Sequence, residues 1–140
     1  MTREDKELLL KDLCARLNTN LVCSIYRTDD YGVGYRDEIL SGYCKGDIWY
    51  EFYFGDDCSI GIDNVSKIKP YLFPLSSMTH EQRHELHDLI HNLNVLAING
   101  EIGDWIVSSS EIDWYNKNHI DYRGLIEKGL ALDATNLNIY

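Results

Sequence analysis

Both prolines of the chain, Pro70 and Pro74, fall within residues 69–79 (KPYLFPLSSMT), and no regular helix runs through such a stretch. Each proline fixes its own φ and pushes the residue before it away from helical geometry. The stretch closes on Ser76, Ser77 and Thr79, hydroxyl residues of the kind that begin helices. It reads as a stiff, extended junction. In front of it the chain is strand-like and rich in tyrosine; behind it apolar residues recur at helical spacing.

The front half opens with an amphipathic helix. Thr2 is its cap, Glu4 and Asp5 suit its first turn, and Leu9, Leu10, Leu13 and Leu17 form its apolar stripe. Lys6, Lys11 and Arg16 are assigned to the other sides, and Asn18-Thr19-Asn20 ends the helix. Strands are predicted at 21–27 (LVCSIYR), 38–44 (EILSGYC) and 48–54 (IWYEFYF), with a weaker fourth within 59–68. Residues 28–34 read as a loop, with turns at 45–47 and 55–57. Short connections between successive strands imply an antiparallel meander.

Behind the junction, Thr79 and Gln82 fit a capping box, and Leu86, Leu89, Ile90 and Leu93 line one side of the helix that follows. A second helix is predicted to start at Ser108-Ser109-Ser110. A third, short one spans 121–128, with Gly129 as its stop. The predicted class is α+β: an N-terminal helix and a C-terminal helical half on a three- or four-stranded antiparallel sheet, with an SH3-like barrel as the curled form of that sheet. One domain is expected over 1–140, made of helix and meander (1–68), junction (69–78) and helical part (79–140).

The formal net charge is −10, which argues against binding to nucleic-acid backbone and allows an acidic surface to meet a basic partner. No apolar run reaches the length of a membrane span, and no signal-type segment opens the chain, so the expected location is cytoplasmic. Cys14, Cys23, Cys44 and Cys58 form neither a CxxC pair nor a zinc spacing and read as reduced structural thiols, with Cys14 and Cys23 in apolar surroundings.

Four histidines, His80, His84, His87 and His91, fall within about 60° of one another on a helix, and the apolar stripe is centred more than about 120° away. They predict a solvent-facing ridge, with metal binding as a weaker alternative because Glu81, Glu85 and Asp88 are read as pointing elsewhere. No nucleophile elbow, Walker loop or dinucleotide fingerprint occurs, no cofactor is implied, and the expectation is a protein without enzymatic activity. A ligand site is easier to build. Ser76, Ser77 and Thr79 at a helix start offer free N–H groups to an anion, and Lys69 lies just upstream. Tyr71, Trp114, Tyr122 and Arg123 supply stacking surfaces and a bidentate donor. The ten tyrosines also suit an interface, and the strand at 48–54 has two aromatic faces to cover.

Residues 69–79 followed by a charged helix, together with 112–134 (IDWYNKNHIDYRGLIEKGLALDA), resemble segments of small accessory proteins, of uncharacterised activity, encoded by Bacteroidales phages and related mobile elements. The helix after Thr79 in those proteins is Glu- and Lys-rich, and the four histidines depart from that pattern. The resemblance implies a setting in the host-cell cytoplasm and an action directed at the host or its antiviral defences. The first expectation is sequestration of a small anionic, nucleotide-type immune signal at the junction. The alternatives are an acidic protein that blocks a host or defence protein by surface contact or nucleic-acid mimicry, and a metal-dependent hydrolase using the histidines. A homo-oligomer fits either binding role.

Overall fold

In the computed structural model the described residues are 1–29, 32–46, 50–56 and 58–140. Helix α1 (Arg3–Ala15) begins as expected, the Thr2 hydroxyl accepting the Asp5 N–H at 3.1 Å. Leu9 and Leu13 are fully buried. After α1, Asn18 and Asn20 take left-handed φ values of 69° and 56°, which Asn tolerates, and turn the chain into the sheet.

Strands β1 (Val22–Asp29), β2 (Gly32–Lys45), β3 (Tyr50–Phe54) and β4 (Cys58–Gly61) form the expected antiparallel meander. A 3-10 turn (Ile62–Lys67) leads into β5 (Ile68–Pro74), which pairs antiparallel with β1. Helices α2 (His80–Ile98) and α3 (Asp104–Lys117) follow, and then two short strands, β6 (Ile120–Asp121) and β7 (Leu132–Asp133), run parallel to β5. The strand order is β4-β3-β2-β1-β5-β6, with β7 also on β5, so the fold is α+β with a mixed sheet.

The 3-10 turn touches β1, β3, β4 and β5, and β1 and β4 line one cleft with it although they are not neighbours in the sheet. The sheet is therefore curled. Its concave face packs Ile25, Leu40, Phe52, Phe54 and Leu72 against Leu9 and Leu13 of α1, with Val65 of the turn closing the curl. A smaller core joins Leu86 of α2, Trp114 of α3 and Ile120 of β6, with Phe73, Met78, Leu89 and Ile90 packed on it.

Several expectations are corrected. Of the predicted loop at 28–34, Thr28, Asp29, Gly32, Val33 and Gly34 are ladder residues instead, Thr28 pairing with Val33 and Asp29 with Gly32 in a long antiparallel β1–β2 pair, while Asp30 and Tyr31 lie outside the described residues. Ile48, Trp49, Asp47 and Asp57, which belong to a predicted strand and two predicted turns, lie outside the described residues. The proline junction is itself a strand. Pro70 stands at the end of the β1–β5 ladder, opposite Cys23, and Pro74 at the end of the β5–β6 pairing, where a missing N–H costs least. Helix α3 starts at Asp104 behind Gly103, and Ser108–Ser110 lie inside it. The predicted helix at 121–128 does not form. Gly124 takes a φ of 73° in its middle, and the Asp121 carboxylate instead accepts the N–H groups of Leu125 and Ile126 at 2.9 and 2.8 Å. Gly129 does turn left-handed, with φ at 70°. Cys14 is exposed rather than set in apolar surroundings, and Cys23 is buried.

The C-terminal tail is better tied than its sequence suggests. The Ala134 N–H donates to the Leu72 carbonyl at 2.8 Å. The β1–β5 register places Val22 next in line opposite Tyr71, and the Tyr140 hydroxyl stands between them. It accepts the Val22 N–H at 3.2 Å and donates to the Tyr71 carbonyl at 2.7 Å. A side chain thus supplies the next rung of the ladder.

Candidate functional site

The hydroxyls of the junction are spent on local structure. The Thr79 Oγ1 accepts the Gln82 N–H at 3.1 Å and the Gln82 Oε1 accepts the Thr79 N–H at 3.0 Å, a complete capping box. Ser77 donates to the Pro74 carbonyl at 2.8 Å, and Ser76 is exposed on the 3-10 turn Leu75–Ser77. Trp114 is in the smaller core, its indole N–H donating to Glu85 at 3.2 Å. Lys69 and Tyr71 lie on the convex face of β5, and the Tyr71 hydroxyl donates to Asp37 at 3.0 Å. Burial and the neighbouring Asp37 both hold that phenol above the usual tyrosine range.

Tyr122 and Arg123 belong to a different place, beneath the end of α1. Arg16 is fully buried there. Its guanidinium donates to both oxygens of the buried Asp12 at 2.8 and 3.1 Å and to the Ile120 carbonyl at 2.8 Å. Arg123 donates to the same carboxylate at 3.2 Å and lies 4.6 Å over the Tyr122 ring. Two arginines thus share one buried carboxylate, and removing Asp12 would strand the buried Arg16 charge at a cost of about 3–5 kcal/mol. The eight residues expected at one ligand site are therefore distributed over a helix cap, the convex sheet face, the smaller core and this ion cluster. Only Tyr122 and Arg123 are shown in direct contact with each other.

The histidine ridge is exposed as expected, and the rings of His87 and His91 lie parallel at 6.2 Å. Asp88 does not point elsewhere: its carboxylate reaches His84 Nε2 at 3.3 Å and His87 Nδ1 at 3.6 Å. Among the described residues no group of three or more His, Cys, Asp and Glu side chains is arranged to hold a metal ion.

Sequence reasoning missed the Asp12–Arg16 cluster, although its signal was present. Leu9, Asp12, Leu13 and Arg16 stand at i, i+3, i+4 and i+7, so the two charges share the apolar face of α1.

Part of the convex face of the sheet is left uncovered among the described residues. Strand alternation puts Val33, Tyr35, Asp37 and Ile39 of β2 on it, and register adds Tyr26 of β1. Tyr53 of β3 alternates with the buried Phe52 and Phe54 and points the same way. The α2–α3 pair covers only the Phe73 end of β5. Val33 is 72% exposed, Tyr35 65% and Ile39 48%. Tyr26 props Tyr35 edge-on, their rings 5.1 Å apart.

Comparisons with protein-family models, with curated proteins and with solved structures returned no match.

Proposed function

We propose that this chain is a non-enzymatic binding protein that acts by surface contact with another protein, through the open convex face of its sheet. The observation that carries this reading is the exposed row Val33, Tyr35 and Ile39, joined by Tyr53, on the part of the face away from the α2–α3 pair. Exposed tyrosines on a rigid sheet give large contact area at little entropic cost, and Tyr is enriched where proteins meet. The partner is a protein with a basic contact surface. The net charge of −10 speeds encounter with such a partner and opposes association of the chain with itself. In the phage setting that the sequence resembles, the partner is a host or defence protein. Sequestration of a nucleotide-type signal at the junction has less support, because its expected residues are occupied as caps, core and ion pairs.

The test uses the purified chain and a Tyr35→Asp variant, whose altered side chain faces solvent. The reading expects the unaltered chain to retain a discrete basic protein from host extract, the retention to weaken with salt, and the variant to lose it at unchanged melting temperature. Retention by the variant equal to that by the unaltered chain overturns it. So does a concentration-dependent dimer in light scattering that Tyr35→Asp dissolves, which would assign the face to a second copy.

A further inference from the structure

We infer that the histidine ridge of α2 is half of a site for a divalent transition-metal ion of the zinc type, and that a second copy of this chain supplies the other half. At about 100° per residue, His80, His84, His87, His91, Val95 and Ile98 fall within about 80° of one another on the helix. All six are exposed, whereas Leu86 of the same helix is buried in the smaller core with Trp114 of α3. One exposed line therefore runs the length of α2, with imidazoles first and apolar side chains at its end.

His87 and His91 are the pair best placed to bind. They stand at i and i+4, the spacing at which two imidazoles on one helix face share a metal ion. Their rings are 6.2 Å apart, and as exposed side chains they are free to turn toward one ion. Asp88 sets this pair apart from His80 and His84. Its carboxylate lies 3.3 Å from His84 Nε2 and engages that nitrogen, but it meets His87 on the Nδ1 side, at 3.6 Å, and leaves His87 Nε2 open. Neutral imidazole suits zinc, copper and nickel.

The second copy follows from ligand number. Zinc takes four ligands in a tetrahedral array. One chain brings two imidazoles to this point of the ridge, and among the described residues no group of three donors forms. An identical helix laid antiparallel along the first, with the two-fold axis beside residues 87–91, supplies the missing two and closes the assembly as a dimer. An unlike partner would have to carry a matched histidine pair of its own. The same contact gives Val95 and Ile98, 44% and 85% exposed, a neighbouring helix. Each chain carries a net charge of −10, so two copies repel each other, and a dication held between them offsets that repulsion where they meet. The dimer therefore depends on the metal. The ridge shares no residue with the open convex face, and the inference does not rest on that reading.

The test measures the mass of the purified, untagged chain by light scattering, first in EDTA and then with zinc chloride, beside a calorimetric zinc titration. The expected result is a monomer in EDTA and a doubling of mass with zinc that saturates at one ion for two chains and reverses with EDTA. His91→Ala and His87→Ala, both at exposed positions, should each abolish the doubling and weaken zinc binding by about tenfold or more, since loss of even a group that only orients a ligand costs about that much. His80→Ala, on the same ridge but outside the pair, should leave both measurements unaltered. So should Tyr35→Asp, which separates this contact from any made through the open face. Absence of saturable zinc binding overturns the inference, and so does zinc bound without a change of mass. A zinc-dependent dimer that both His91→Ala and His87→Ala leave intact overturns it as well, and would place the ion on other groups, such as the exposed Cys14 and Cys44.

Discussion

At His119 the backbone turns left-handed, with φ at 57°, and the imidazole stacks on the Tyr140 ring at 3.9 Å with the planes 9° apart. Burial, together with the nearby Arg16 guanidinium, pulls its pKa from 6.5 to about 4. The folded protein therefore holds this ring neutral, whereas the unfolded chain takes up a proton near pH 6.5. A folded-state pKa depressed in this way means that stability is full above the unfolded value and falls as pH drops from about 6.5 toward 4, reaching a loss of about 2 kcal/mol by pH 5. His119→Asn, which accepts the left-handed turn, should flatten that part of the curve of stability against pH, as measured by urea unfolding at pH 7 and pH 5. Neither this histidine nor Arg16 was legible as a buried group. Charge is ordinarily a sign of exposure, and only the spacing of Asp12 and Arg16 from the leucines contradicted it. The burial of His119 depends on contacts with Tyr140, which no local pattern announces.

Elements were legible where their signals are local. The Thr79 capping box formed as written, and Thr79→Ala should cost about 1 kcal/mol, read as a lower denaturation midpoint at unchanged slope. The Leu9/Leu13 stripe, the meander and the α+β class were also local matters of period and turn chemistry. The failures came where one residue type serves two purposes. Ser109, expected to cap a helix, donates from inside α3 back to the Ile106 carbonyl at 3.2 Å. Pro70 and Pro74, read as stiffening an extended junction, stand in a strand at the ends of two ladders. The parallel strands β6 and β7 have two residues each and exist only because β5 offers them an edge. Of the candidate surfaces, the tyrosines were visible in the sequence, but which of them stay uncovered depends on where the α2–α3 pair lands.

The molecule as a whole is closed by contacts between distant parts of the chain. The cleft needs β1, β4 and the 3-10 turn together, so its lining cannot be read from any one segment. The β1–β5 seam needs Tyr140. Tyr140→Phe removes the hydroxyl that serves both Val22 and Tyr71 while keeping the ring on His119, and should cost about 1–2 kcal/mol, measurable as a lower melting temperature. The same seam has a consequence for the order in which the chain can fold. Val22 and the side chain that receives its N–H are 118 residues apart. During synthesis the β1–β2 hairpin and the meander can assemble from early segments, because their contacts are short-range. The seam cannot lock until Tyr140 has left the ribosome, and until then β5 presents a partly unpaired edge to its surroundings. Stalled nascent chains cut before and after that residue would differ at this seam, with the shorter ones open to protease between β1 and β5.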